Sequence, residues 1–358
     1  MTSLPASRAR LNELDALRGI GAMLVVNFHY ATRYHELFPK AGHVPFHLFG
    51  GNYRVLLFFA ISGFAIFFSM AKLRSAADFI VGRAARLLPA YWVALGLTLL
   101  VEHLGHMTSL YVSPWVVLAN LTMLEQFFFI PTVDGAHWTL TVEIAFYACM
   151  LTLWLLCRLR HVERLILGWL VLKLVFALVW PDMPERIVMI FILRYIPFFA
   201  IGMASYRVWI GARSWREQMP IFAGILTTIA VAETPDLAVA GLVIIACFWA
   251  VVSGHLRWLC VAPVLWVGQI SYSLYLVHQH IGFTILFNMD QMGYAPTTAY
   301  ATAILAAVSL GALVHYLVER PAARAALGGW KRTMARDEPA MQRAEPVMVP
   351  VERSADRH

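Results

Sequence analysis

Seven residues from Ile20 to Val26 carry no polar side chain, and the chain enters them directly from the charged text Glu13-Leu14-Asp15-Ala16-Leu17-Arg18. Such a run is too apolar for the surface helix of a soluble protein. It suits a membrane span, where an ionisable group is costly and therefore informative. Phe28-His29-Tyr30 follows near its far end, so Arg18 and His29 stand eleven residues apart. At ~100° per residue they fall about 20° beyond three full turns, on one helix face and roughly 16 Å apart along the axis. That face presents a cation at the inner membrane edge and an imidazole deep in the outer half. Arg18 reads equally well as a lipid-phosphate anchor and as a functional group. His29, inside the span, reads better as functional than as a mere link to a neighbouring helix.

The rest of the chain fits that setting. Of 358 residues 60% are hydrophobic and 14% charged, against roughly 25% charged in soluble globular chains, so the composition is that of an integral membrane protein. The net charge of +7 lies in clusters between apolar segments. That arrangement suits cytoplasmic loops facing anionic membrane lipid and argues against nucleic acid as a partner. Cys149, Cys157, Cys247 and Cys260 lie in or beside apolar segments without metal-ligand spacing. They read as packing thiols, and no metal is expected. The first apolar segment lacks a small-x-small cleavage pattern and reads as an uncleaved span.

Positive-inside counting places the N-terminus, with Arg8, Arg10 and Arg18, in the cytoplasm. It predicts an all-α bundle of about ten transmembrane helices with both termini cytoplasmic. The first span exits near Tyr34, and the others are expected near 53–70, 87–105, 137–157, 165–180, 188–206, 221–232, 237–253, 264–287 and 298–318. Segment 107–136 is apolar enough from Pro114 to Ile130 to suggest a further span. Counting it would push Arg158, Arg160, His161 and Arg164 outside, so it is taken as re-entrant or interfacial. The transmembrane domain is placed at 10–325. Residues 326–358, charged and short of apolar side chains, are expected to form a disordered cytoplasmic tail.

Several groups suggest chemistry. Arg83-Ala84-Ala85-Arg86 puts two guanidiniums on one helix face at the inner mouth of the third span, where planar donor forks suit phosphate oxygens. Taken alone, the motif reads better as ordinary positive-inside anchoring, and what raises it is the Leu87-Leu88-Pro89-Ala90-Tyr91-Trp92 that follows at once. His137-Trp138-Thr139-Leu140-Thr141-Val142-Glu143 opens the fourth span, with Glu143 about 9 Å below His137. A carboxylate at that depth needs a partner, and His29 is the expected one. A carboxylate on one imidazole nitrogen leaves the other as proton acceptor. Trp138 reads as a channel residue or as part of an interfacial aromatic belt. Tyr275 and His278, at i and i+3, share a face and either line a channel or bond across helices. Arg194, in the sixth span, needs a partner of its own.

In their order along the chain these pieces resemble acyltransferase family three, multispan membrane enzymes that acylate extracytoplasmic glycans and some lipids or natural products. The matching text is Glu13-Leu14-Asp15-Ala16-Leu17-Arg18-Gly19 with His29 beyond it, Phe58-Phe59-Ala60-Ile61-Ser62-Gly63-Phe64, Arg83-x-x-Arg86, and His137-Trp138-x-Leu140-x-x-Glu143. Arg194-Tyr195, Ser271-Tyr272-x-x-Tyr275-x-x-His278 and Glu319-x-Pro321 complete the set, which covers roughly residues 10 to 325. Arg54-Val55 departs from the Gly-Val that the family often carries before its paired phenylalanines. The resemblance implies that Arg18 and His29 are the essential pair of the first span, that Arg83 and Arg86 lie beside acyl-CoA, and that Glu143 is a functional carboxylate.

The reaction expected from this is transfer of an acyl group, most simply acetyl from acetyl-CoA, to a hydroxyl of a glycan or lipid-linked sugar outside a bacterial-type inner membrane. Arg83 and Arg86, with Arg18, would hold the acyl-CoA phosphates. His29, oriented by Glu143, would deprotonate the acceptor, and Tyr275, His278 or Arg194 would steady the oxyanion. A variant that first acylates an enzyme group is the alternative to direct transfer, but no serine or cysteine is placed to favour it, and Ser62, beside Gly63, reads better as a packing residue. The rival reading is a proton-coupled transporter with His29, Glu143 and Arg194 as its relay.

Overall fold

In hydrocarbon every backbone N–H and C=O must be satisfied within the chain, which for a sequence this apolar points to helices. The computed structural model describes residues 11–42, 53–71, 73–157 and 159–342, with helices and no strand among those residues. Helix α1 (Asn12–Phe28) passes into a π turn (His29–Arg33) and the short α2 (Tyr34–Leu37). Then follow α3 (Arg54–Met70), α4 (Ala76–Leu104), the short α5 (Pro114–Asn120), α6 (Trp138–Leu155) and α7 (Val162–Leu174). The second half holds α8 (Glu185–Ile190), α9 (Ile196–Trp209), α10 (Trp215–Ala232) and α11 (Pro235–Val252). It closes with α12 (Ala262–Val277), α13 (Gln279–Gln291), α14 (Pro296–Val314) and α15 (Arg320–Gln342).

Among the described residues four stretches are long and apolar enough to cross a membrane: Ala76–Leu104, Gly135–Leu155, Pro235–Val252 and Pro296–Met334. Val55–Met70 and Ala262–Val277 are shorter apolar helices. The chain is a multi-pass integral membrane protein. Arg8, Arg10, Lys72 and Arg158, on which the inside–outside count leans, lie outside the described residues, as do 43–52 of the first loop.

Two crossings hold the centre together, and both need glycine. A Cβ built on Gly202 of α9 would lie 1.8 Å from the Ala60 carbonyl oxygen of α3, and one on Gly63 would lie 2.2 Å from that of Phe199. Between α1 and α12, a Cβ on Gly268 would meet the Asp15 carbonyl oxygen at 2.1 Å, and one on Gly19 that of Val264 at 2.6 Å. Close backbone approach through small residues is how helices pack where water supplies no hydrophobic drive. These contacts set α1 and α3 against α12 and α9, and the candidate site lies between them.

Several sequence expectations are corrected. α4 begins at Ala76, ahead of the expected 87, because Ser75 and Asp78 form a reciprocal capping box at its start. Arg83 and Arg86 therefore lie about two turns inside a helix. The span expected at 188–206 is broken: α8 ends at Ile190, a turn with Ile192 at positive φ follows, and α9 starts at Ile196. The one expected at 264–287 divides at His278 into α12 and α13. Segment 107–136 holds no helix longer than the seven residues of α5, about 10 Å against a hydrocarbon core of about 30 Å, so it makes no span. Residues 326–342, expected to be disordered, belong to α15, which packs along α4 and whose Trp330 indole donates to Asp78 Oδ1 at 2.7 Å. Residues 343–358 lie outside the described residues.

Away from the centre, Glu163 at the start of α7 ties three elements together. It accepts from Arg207 of α9 at 3.0 Å, from Arg213 at 3.4 Å and from Gln218 of α10 at 3.4 Å. Burial pushes its carboxyl up, but its own backbone N–H and the two guanidiniums outweigh that and leave it below the ordinary glutamate value.

Candidate active site

Of the cavities among the described residues, two meet along the bundle. The smaller, about 80 Å³, is lined by Arg18, Ser62, Arg86, Glu143 and Tyr272. The larger, about 780 Å³, is lined by His29, Trp138, Arg194, Tyr195 and Glu233. Val55, Thr139 and Tyr275 belong to the walls of both. At this boundary the Tyr275 hydroxyl lies 2.8 Å from Thr139 Oγ1 and donates to the Ala136 carbonyl at 2.7 Å. Arg18 and His29, placed on one face of α1 by their spacing, thus serve different cavities, one on each side of that divide.

The expected His29–Glu143 pair is not formed. Glu143 faces the smaller cavity, where it accepts from Ser62 at 3.0 Å and from the Tyr147 hydroxyl. His29 pairs with His278 instead: its Nδ1 is 2.9 Å from His278 Nε2 and 3.0 Å from the Val25 carbonyl oxygen. His278 is fully buried where α12 breaks into α13, and its Nδ1 lies 2.7 Å from the Tyr275 carbonyl oxygen. A carbonyl can only accept, so His278 Nδ1 carries a proton and, in the neutral ring, Nε2 does not. His29 Nδ1 must then be the donor between the two rings. The lone pair of the His29 ring is left on Nε2, in a residue that lines the larger cavity. Asp134, fully buried, acts electrostatically on both rings while accepting from the backbone N–H groups of Ala136 at 2.8 Å and His280 at 3.0 Å.

Arg83 and Arg86, expected to act as one phosphate clamp, separate. Arg86 lines the smaller cavity, whereas Arg83 donates to Ser69 Oγ at 2.6 Å and lies 5.2 Å from the centre of the Tyr147 ring. Arg194 is not midway along a continuous span. It sits in the turn before α9, half exposed, donating to Glu185 at 2.7 Å. Trp138 packs edge-on to Phe59 and against Tyr195 in the wall of the larger cavity. Ser62, read as a packing residue, is the hydrogen-bond partner of Glu143, while its neighbour Gly63 makes the helix crossing. The relay expected of a transporter is not assembled, since His29, Glu143 and Arg194 each pair with a different residue.

Sequence reasoning missed some groups outright. Asp134 carries the signal of a helix start: Asp at the N-cap of the turn Gly135–His137, where it accepts from Ala136 N–H. Lys173 and Glu102 carry another, for each is an ionisable residue within an apolar helix. Lys173 is 1% exposed and donates to Glu233 at 2.5 Å. Glu102, also 1% exposed, lies 2.6 Å from His280 Nδ1.

The acyltransferase domain of acyltransferase family three matches residues 11–317. The exopolysaccharide production protein ExoZ of Rhizobium meliloti is 29% identical over 308 residues, covering 80% of this chain and 92% of the relative. Nodulation protein 10 of Rhizobium leguminosarum bv. viciae is 30% identical over 159 residues, 39% of this chain and 43% of the relative. No solved structure matches.

Proposed function

The chain belongs to acyltransferase family three, and on that premise we propose that it transfers an acyl group from cytoplasmic acyl-CoA to a hydroxyl of a glycan on the outer side of the inner membrane. The reading takes the bundle as ten spans with both termini cytoplasmic, so that the Arg18–Arg86 cavity faces the cytoplasm and the His29 cavity faces outwards. The observation that carries it is the pair of cavities meeting at Thr139 and Tyr275, with guanidiniums in one and an imidazole lone pair in the other.

Arg86 and Arg18 would meet the anionic end of acyl-CoA, acetyl-CoA being the simplest donor, and Glu143 would hold the arginine side of the cavity in place. The pantetheine arm would enter by the smaller cavity, and the Thr139–Tyr275 contact is the barrier the thioester would reach. Beyond it, His29 Nε2 takes the proton of the acceptor hydroxyl as its oxygen attacks the thioester carbonyl carbon. The carbon–sulfur bond then breaks, and the CoA thiolate takes that proton back from the imidazolium. His278, with its Nδ1–H held by a carbonyl and its Nε2 by His29, has no donor left for an oxyanion. Tyr275, at the divide, would serve as that donor only once its hydroxyl turns away from the Ala136 carbonyl to which it donates. The acceptor class rests on the similarity to the exopolysaccharide production protein.

The test is CoA release by the detergent-purified chain from acetyl-CoA with a panel of glycan acceptors. Acceptor-dependent release that His29→Ala abolishes supports the reading. Well-folded protein that binds no labelled acetyl-CoA overturns it in favour of transport.

A further inference from the structure

The proposed mechanism leaves unused the Lys173–Glu233 pair, an ion pair with its ammonium buried inside an apolar helix. Lys173 is 1% exposed, in α7, and its ammonium reaches Glu233 at the end of α10 at 2.5 Å. A buried ammonium is held there only if its partner is well placed, and removal of either partner strands the other. Glu233 is 28% exposed and lines the larger cavity, the same one that His29 enters. The pair therefore fixes a carboxylate in the wall of the acceptor chamber.

We propose that this carboxylate accepts hydrogen bonds from hydroxyls of a neutral sugar ring, whose apolar face lies against Trp138 and Tyr195. Three observations converge on that class. A carboxylate only accepts, which matches adjacent sugar hydroxyls that donate. With Lys173 bonded to Oε1, the second oxygen of Glu233 is the one open to a ligand. Trp138 and Tyr195, 5.3 Å apart in the same wall, supply the aromatic surface that a sugar's C–H face needs. Neutrality follows from charge pairing. Among the described residues that line the chamber the two charged side chains, Arg194 and Glu233, are each matched by a partner, Glu185 and Lys173, so this wall offers no net charge to an anionic sugar. In this arrangement Glu233 is a binding residue and Lys173 a positioning residue. The inference rests on the acceptor chamber being extracytoplasmic and glycan-binding.

The experiment is equilibrium dialysis of the full-length purified chain with a labelled neutral gluco-configured tetrasaccharide, its glucuronate counterpart and acetyl-CoA, beside steady-state CoA release. The variants are Glu233→Gln and the double variant Lys173→Met/Glu233→Gln. The double change removes both charges together, which buried pairs commonly tolerate. The expected result is neutral-sugar binding by the wild type that falls about 10- to 100-fold in both variants, the size of one or two lost charge-assisted hydrogen bonds. Acetyl-CoA binding stays unchanged, and in turnover the acceptor KM rises while kcat holds. Wild-type-like sugar binding by the double variant would reduce the pair to a helix staple and overturn the proposal. So would tighter binding of the glucuronate, or loss of sugar and acetyl-CoA binding together. Sugar binding that depends on Glu233 without any CoA release would keep the subsite and remove acyl transfer, so the two readings fail separately.

Discussion

His29 and His278, 249 residues apart in sequence, meet through a single ring-to-ring hydrogen bond of 2.9 Å, and the Tyr275 carbonyl behind His278 fixes which nitrogen of each ring carries the proton. If that lone pair on His29 Nε2 is the base, the partner ring matters for orientation alone. His29→Ala is expected to lower kcat by about 10²- to 10⁴-fold. His278→Ala should lower it by about 10- to 100-fold, and His278→Gln less, because its amide oxygen can still accept from His29 Nδ1–H. CoA release read with a thiol reagent checks the order. Equal losses for Ala and Gln would count against an orienting role.

The two arginines of α4 should behave differently. Arg86→Ala, which removes a guanidinium from the smaller cavity, is expected to raise the acyl-CoA KM about tenfold or more while the fold is retained. Arg83→Ala removes the Ser69 hydrogen bond and the contact over Tyr147, together about 1–2 kcal/mol, and should lower the thermal midpoint with little change in KM. Matched KM shifts in both would restore the single clamp that the sequence suggested.

At the crossing of α3 and α9, Gly202→Ala is expected to destabilise by about 3 kcal/mol or more, since its Cβ would overlap the Ala60 carbonyl. Gly82→Ala, in α4 with nothing within 4 Å of the new Cβ, should be neutral or stabilising by up to about 1 kcal/mol. Thermal size-exclusion of the two proteins in detergent separates them, and equal midpoints would contradict the crossing.

Glu163 supplies an acid-sensitive contribution to stability. Its native carboxyl sits below the ordinary value of about 4.5, so the stabilisation is complete above that value and is lost as pH falls through the lowered native one. Melting curves between pH 3 and 7 should show Glu163→Gln less stable than wild type at pH 7, by about 1 kcal/mol or less, with the gap closing at the acid end. A gap that is constant with pH would sink the assignment.

Much of this was legible in the chain, and the losses have physical causes. The spacing of Arg18 and His29 placed both on one face because α1 stays regular up to Phe28, with the π turn starting only at His29. Depth along the helices matches His29 with Glu143, whereas the break that brings His278 inwards carries no proline or glycine between Ser271 and His278 to announce it. The interruption before α9 was hidden in the same way: Phe191 to Tyr195 reads as apolar text around one arginine, and only tertiary packing turns it into a bend. Lys173 was there to be read, since an ammonium inside an apolar helix is itself a signal. The helical start of the tail was lost because α15 is held by contact with α4 and by the Trp330–Asp78 bond, and neither is local in sequence.

The hydrogen bond between Thr139 and Tyr275 has an electrical meaning as well. If the two cavities open to opposite sides of the membrane, as proposed, one opened contact would join them into a pore and short-circuit the ion gradient. Val55, Thr139 and Tyr275 stand at that point, so a thioester passing between the chambers would itself have to plug the gap.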